Sequence, residues 1–286
     1  MNTTRHPSYE NKVAVVTGAG GILCSEISRD LAAKGARVAL LDMNQEKLDR
    51  VADSIRQAGG TCLAMTANVL DETALQAIAD TILATWGPCQ LLVNGAGGNS
   101  QKAITTNDHF EKEELEAGKP EDMTGFFDLD MAVFENVLKV NTLGTVIPTR
   151  VFGRQMAAAG KGAVLNFASM NSTRPLTRVP AYAMSKAAIV NLTQWLATYL
   201  APAGIRVNAV APGFFINDRS IKILGSPETG LTRRGVRVMD HTPMQRFGNP
   251  EDLLGCVSWL LDDLAAAYVT GITVPVDGGF LSHAGV

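Results

Sequence analysis

VAVVTGAGGILCSEISRDLA, residues 13–32, reads as a strand, a glycine-rich turn and a helix in direct succession. Val13 to Val16 form a short apolar run, and from Ile22 onward apolar positions recur at helical spacing. Gly18, Gly20 and Gly21 permit a tight turn and close approach of a ligand to the backbone. The first N–H groups of the helix that follows lack intrahelical partners and carry the positive end of its dipole. Such a turn favours a pyrophosphate, with Ile22 and Leu23 beside the glycines as further contacts.

Further apolar runs recur along the chain at 37–42, 62–69, 90–97, 163–169, 206–213 and 272–279. They lack strict alternation, as expected of strands buried on both faces of a parallel sheet. Helical stretches such as 24–35 and 45–59 lie between them, each closed by a glycine. Alternating strands and helices predict an α/β fold, a Rossmann-type doubly wound parallel sheet in a single domain over 1–286. Ligands of such sheets bind outside the carboxyl ends of the strands. Gly18, Asp42, Asn68, Asn94, Ser169 and Pro212 all end or follow a strand. Asp42 can accept hydrogen bonds from both adenosine ribose hydroxyls and would repel a 2′-phosphate, which points to NAD rather than its phosphorylated form. It can equally be the turn or cap residue ahead of the next helix.

Bulk properties exclude several classes. The chain has 286 residues, 46% of them hydrophobic, and a net charge of −3. That is enough apolar material for a core, and the charge gives no reason to expect nucleic acid or an anionic membrane surface as partner. No apolar run reaches the roughly 18 residues of a membrane span, and the polar opening MNTTRHPSYENK lacks a signal-peptide core. A cytoplasmic location is the expectation. Cys24, Cys62, Cys89 and Cys256 show no C-x-x-C pair and are expected as reduced, packed thiols. The four scattered histidines predict no metal site. Two segments look inserted: an acidic one near 99–131, expected as a solvated surface lobe, and a basic one near 217–246, placed to serve as a lid over substrate.

Tyr182 and Lys186 stand four residues apart in AYAMSKAAIVNLTQWLA and share a helix face, with Ser169 thirteen residues before Tyr182. An ammonium beside a phenol is expected to lower its pKa, so that it exchanges protons near neutrality.

In order, VTGAG (16–20), Asp42, ANV (67–69), NGAG (94–97), Asn141 in KVNTLGT, Ser169, Tyr182 with Lys186, RVNAVAPG (206–213) and VDGG (276–279) resemble the short-chain dehydrogenase/reductase family over nearly the whole chain. The resemblance implies a catalytic set of Asn141, Ser169, Tyr182 and Lys186. Tyr182 would be the general acid/base and Ser169 would stabilise charge on the substrate oxygen. Lys186 would tune Tyr182 and hold the nicotinamide ribose, and Asn141 would anchor a water leading to solvent. Asn94 and the Pro212-Gly213 turn would border the nicotinamide and Asn68 and Val69 the adenine, with Gly95, Ala96 and Phe215 as further NAD contacts.

One departure stands out. The family pattern TG-x-x-x-G-x-G has Ile22 and Cys24 here in place of its later two glycines, which is expected to narrow the pyrophosphate space. GAGGILCSEIS, NGAGGN, FFDLD, SMNSTRPLTRVPAY, APGFF and HTPMQRFG resemble the D-mannonate oxidoreductase (fructuronate reductase) branch, whose members interconvert D-fructuronate and D-mannonate with NAD(H). A sugar acid needs a cation near the centre. Arg174 and Arg178, between Ser169 and Tyr182, can supply one or can be surface residues. Asn99, Asn171 and His241 can meet sugar hydroxyls, and Phe214 can wall the site. Other carbonyl substrates (a gluconate-type ketoacid, a 3-oxoacyl thioester) stay open, as does a nucleotide-binding regulator without catalysis. The resemblance also implies a homo-oligomer, tetramer or dimer, with 191–200 and 276–286 at its interface.

Overall fold

A computed structural model describes residues 9–216, 218–226 and 230–284. The polar opening up to residue 8, positions 217 and 227–229 of the basic segment, and the last two residues of the expected interface tail lie outside them.

The chain alternates strands and helices: β1 (Val13–Thr17), α1 (Ile22–Ala33), β2 (Arg37–Asp42), α2 (Gln45–Gln57), β3 (Thr61–Thr66), α3 (Glu72–Trp86) and β4 (Leu91–Asn94). A second half follows with α4 (Met131–Ala159), β5 (Gly162–Phe167), α5 (Pro180–Leu200) and β6 (Ile205–Pro212). After it come α6 (Asp218–Leu224), the short pair β7 (Gly225–Ser226) and β8 (Gly230–Leu231), α7 (Arg233–Asp240), α8 (Leu254–Leu261) and β9 (Thr273–Val276). Seven strands form one parallel sheet in the order β3-β2-β1-β4-β5-β6-β9. The order reverses between β1 and β4, which opens a crevice at their carboxyl ends.

Successive residues of each strand feed opposite layers. Ala14, Val16, Val38, Leu40, Leu91 and Val93 pack against Ile27 and Leu31 of α1, Leu48, Val51 and Ile55 of α2, and Val257 and Leu260 of α8. Val13, Val15, Ala39, Leu41, Leu92 and Val164 pack against Leu75 and Ile82 of α3 and Phe152 and Met156 of α4. Both faces of β1, β4 and β5 are buried along their whole lengths, whereas the edge strands β3 and β9 are only part-covered. This accounts for the unbroken apolar runs in the central strands. Helix ends follow local rules: Asn44 and Asp71 cap α2 and α3 through Lys47 N–H and Ala74 N–H, and Gly35 and Gly59 take φ of 92° and 82° just past α1 and α2.

The acidic insert is not simply a solvated lobe. Thr105 and Arg178 exchange backbone contact through Thr105 N–H and the Arg178 carbonyl at 3.0 Å. Asp108 accepts two bonds from Arg237 of α7, at 2.8 and 2.7 Å, and one from Thr177 at 3.0 Å. Opposite charge therefore draws the acidic insert onto the basic one above the strand ends. Glu114 is buried, while Phe126 and Phe127 face outward. The four thiols are unpaired, as expected of packed cysteines. Among the described residues, no helix is long and apolar enough to cross a membrane, and no three His, Cys, Asp or Glu side chains group as a metal site.

Candidate active site

The glycine turn fits a dinucleotide. Gly18 takes a left-handed φ of 67°, and a Cβ there would lie 2.9 Å from the Ala96 backbone, so only glycine serves. Gly21 heads α1 without a side-chain cap and with no acidic residue in the first turn, which leaves the leading N–H groups of Ile22 and Leu23 for an anion. Asp42 holds this turn from the side. Its Oδ2 accepts from Gly20 N–H and its Oδ1 from Asn44 N–H, each at 3.0 Å. Asp42 is thus a turn anchor as well as a candidate ribose acceptor.

The departure at 22 and 24 has a structural answer. Ile22 is exposed at the helix start, and Cys24 is buried. A Cβ built on Gly95 would overlap the Cys24 sulfur. The thiol therefore fills the space that Gly95 leaves empty, rather than closing on the pyrophosphate. Burial pushes the Cys24 thiol up to about 12, with Asp42 adding to the rise, so it is an inert packing group. Thr17, not singled out in the sequence, fastens the same corner. Its Oγ1 accepts from Gly95 N–H at 3.1 Å and Ala96 N–H at 3.2 Å. Its only sequence signal is a hydroxyl at the end of a buried strand.

Other expected cofactor residues divide into lining and support. Asn94 is buried and donates to Thr149 Oγ1 and Asn166 Oδ1, both at 2.9 Å, so it braces β4 against α4 and β5. Asn68 is exposed and forms a local turn to Leu70 N–H, while buried Val69 packs on Gly144. Pro212 ends β6, and a Cβ on Gly213 would come within 2.6 Å of Asp277. Phe215 is buried against Gly248, behind the cleft.

Ser169 follows β5, and Tyr182 and Lys186 lie on the first turns of α5, which Pro180 opens. The Ser169 hydroxyl neighbours the Tyr182 phenol. Lys186 Nζ lies 5.6 Å from the Tyr182 ring centroid and donates to the Phe167 carbonyl at 2.7 Å. The expected depression of the Tyr182 pKa is not what this pocket produces. Burial, the larger effect, raises the phenol above its ordinary value, and the Ser169 hydroxyl pulls it part of the way back. Burial brings Lys186 down to about 8. A dry pocket disfavours either charge before a charged partner is in place.

Asn141, on α4, engages the backbone with its whole side chain. Nδ2 donates to the Gly98 and Val137 carbonyls at 2.7 and 2.8 Å, and Oδ1 accepts from Gly98 N–H at 3.1 Å. Both amide hydrogens are taken, so the side chain clamps the Gly97–Gly98 segment, and a water anchored here would be one that donates to it.

Beside Tyr182 lies a cavity of about 360 Å³ whose walls include Asn99, Asn171, Leu176, Arg178, Phe214 and Arg234. This is the size range of small-molecule sites. Arg178 adopts a left-handed φ of 76°, held there by its two bonds with Thr105, one through backbone and one from Nε at 2.8 Å. Strain of this kind at a cavity wall marks a position that the surroundings over-determine. Arg234 is half-buried beside Arg178 and Arg237. Burial lowers its pKa, and the like charge of Arg178 lowers it further. Neither Arg178 nor Arg234 is within ion-pair distance of a carboxylate among the described residues. Arg234 was visible in the sequence only as one of several cations in the basic segment.

Two expected substrate contacts fall elsewhere. Arg174 donates to the His283 carbonyl at 3.0 Å and does not line the cavity, which corrects the carboxylate role given to it. His241 lines the adjoining space with Arg237 and Phe280, and its Nδ1 lies 2.7 Å from the Arg237 carbonyl. It does not border the Tyr182 cavity.

A family model described as short chain dehydrogenase matches residues 12–223. An uncharacterized oxidoreductase of Haemophilus influenzae is 43% identical over 286 residues, spanning 100% of this chain and 99% of its own. Galactitol 2-dehydrogenase (L-tagatose-forming) of Cereibacter sphaeroides is 35% identical over 271 residues, 93% of this chain and 94% of that one. The crystal structure of a candidate D-mannonate oxidoreductase from Haemophilus, with bound NAD, matches at a TM-score of 0.91 and 42% identity, covering 98% of both chains. The chain therefore belongs to the short-chain dehydrogenase family as an NAD(P)-dependent oxidoreductase of alcohol and keto groups.

Proposed function

We propose that the protein interconverts a keto-sugar acid and its hydroxy acid with NAD(H), the pair D-fructuronate and D-mannonate foremost. The observation that carries this reading is the cavity running from Tyr182 to two adjacent guanidiniums, Arg178 and Arg234, neither within ion-pair distance of a carboxylate among the described residues, with Asp108 acting on Arg234 only from farther off. Two like charges held side by side are stabilised by an anion between them, and a carboxylate meets a guanidinium in two parallel bonds. Asn99, Ser100, Gln101, Asn171 and Ser220 add polar groups to the same cavity, suited to the hydroxyls between the carboxylate and the reacting carbon. The likeness to a candidate D-mannonate oxidoreductase supports the same choice.

When bound, the nicotinamide supplies the hydride exchange. The protein supplies the rest. Tyr182 takes the hydroxyl proton in oxidation and returns it in reduction. Ser169 donates to the substrate oxygen as charge gathers on it. Lys186, with a pKa of about 8, needs little driving force to be charged when the phenol ionises. The Asp42 carboxylate supports NAD over NADP by repulsion. The homo-oligomer and cytoplasmic setting belong to this same reading; Trp195 and Tyr199, stacked at 4.8 Å and exposed on α5, are the natural contact face.

The test is a panel of D-fructuronate, 5-ketogluconate, a neutral ketose and an acetoacetyl thioester, each with NADH and with NADPH. The expected result is a kcat/KM for one sugar acid about a hundredfold above the neutral ketose, with NADH preferred. Arg234→Ala should erase most of that margin, an effect of about 2–3 kcal/mol for a charge-assisted pair. Equal rates on acid and neutral ketose would remove the carboxylate reading. Thioester turnover alone would replace it.

A further inference from the structure

We infer that Asn171 is a positioning residue that fixes the direction of the Ser169 hydroxyl, making it a one-way donor, towards Tyr182 in the free site and towards the substrate oxygen once substrate is bound. Asn171 is buried, two residues after Ser169. Its Oδ1 accepts from Leu176 N–H at 2.9 Å. A backbone N–H can be met only by the amide oxygen, so the amide nitrogen must face the other way. There Nδ2 lies 3.3 Å from Ser169 Oγ, and the backbone N–H of Asn171 reaches the same oxygen at 3.2 Å. A serine hydroxyl offers two acceptor sites and one hydrogen. Two donors occupy the acceptor sites, and neither can accept. The hydrogen is thereby turned away from Asn171 and left for the side that faces the Tyr182 phenol. Donors on Oγ also polarise the O–H and strengthen what it donates.

The direction matters because a hydroxyl pointing the wrong way would accept from Tyr182 or from substrate, and would oppose the charge that forms on either. Asn171 also ties this orientation to the cavity wall, since Leu176 and Arg178 belong to the loop its Oδ1 holds. This inference concerns the proton path and holds for any keto substrate.

Asn171→Asp is the sharp test. A carboxylate still accepts from Leu176 N–H and keeps the loop, but it now accepts from Ser169 and draws its hydrogen away. Ultraviolet titration of the Tyr182 phenolate, with Tyr182→Phe as the blank, reads the result in the NAD complex without any substrate. The expected shift is upward by about one pH unit or more. With the panel substrate reduced fastest, kcat should fall about a hundredfold while the KM for NADH holds, the scale of a lost oxyanion donor. Asn171→Ala removes the polarising amide together with the acceptor of Leu176 N–H, keeps the backbone N–H on Ser169, and should give an upward shift of a few tenths of a unit and a severalfold loss in kcat. Both should vanish in a Ser169→Ala background, because the residue acts through Ser169. Should the Asp variant not fold, this cycle carries the test. An unmoved phenolate titration in Asn171→Ala, or equal effects with and without Ser169, would overturn the inference and leave Asn171 a loop brace.

Discussion

The cofactor side and the substrate side of this cleft are held by different forces. Around β1, α1 and β4 the geometry is set by backbone amides, glycines and fully buried packing: Gly18 against Ala96, Thr17 beneath Gly95, Cys24 in the gap beside it. Over the other side, the insert near 99–131 meets α7 through Asp108 and Arg237, and Arg178 is held to Thr105. Buried packing tolerates almost no change in volume. Side-chain ion pairs at the surface are weaker and sensitive to salt. A rigid cradle for a constant cofactor thus faces a softer wall for a variable substrate.

Substitutions can break this contrast at four points. Tyr182→Phe strikes the shared centre and should lower turnover about a thousandfold or more, with NADH binding unchanged by fluorescence titration. Substantial residual turnover would take Tyr182 out of the proton path. Lys186→Met tests the rigid side through stability. The Lys186 pKa falls to about 8 in the fold from an ordinary value of 10.5, so the folded state holds fewer protons than the unfolded chain between those limits. Wild-type stability therefore rises with pH across that window, and below it the buried ammonium costs ~3 kcal/mol, offset in part by the Phe167 bond. The variant should melt higher than wild type at pH 7, with the gap closing by pH 10, and should be inactive. A lower melting temperature at pH 7 would refute the penalty.

Gly95→Ala should lower stability by about 1–3 kcal/mol through overpacking on Cys24 and weaken NAD binding. Cys24→Gly in the same chain should recover most of both, as read by thermal melts and NAD titration. No recovery would mean that the two positions are independent. The smallest effect belongs to the softer side. Asp108→Asn should change stability by less than about 1 kcal/mol. It should alter kcat/KM only severalfold, and in 0.5 M salt the wild type should approach the variant. A loss as large as that at Gly95 would erase the contrast.

The same division governs what could be read from residues alone. Strands, glycine turn and helix ends are local patterns, and all seven sheet strands begin within one residue of their apolar runs, though β3, β4 and β9 end three residues earlier. The Ser169, Tyr182 and Lys186 cluster follows from short spacings on one loop and one helix. Side-chain direction across loops is not local. Arg174 stands five residues from Ser169 and yet reaches the His283 carbonyl, whereas Arg234 arrives at the cavity from a distant helix. The Tyr182 pKa went differently from expectation because it depends on how tightly the surroundings close, which spacing does not encode.

Cys24 and Gly95 carry a consequence for the history and the redesign of this cleft. The sulfur occupies room that exists only because position 95 has no side chain. The two changes therefore have an obligatory order: the vacancy opens first and the thiol enters second, and reversal runs the other way. Transplanting this glycine turn into a relative with a side chain at the matching place fails unless both pieces travel together.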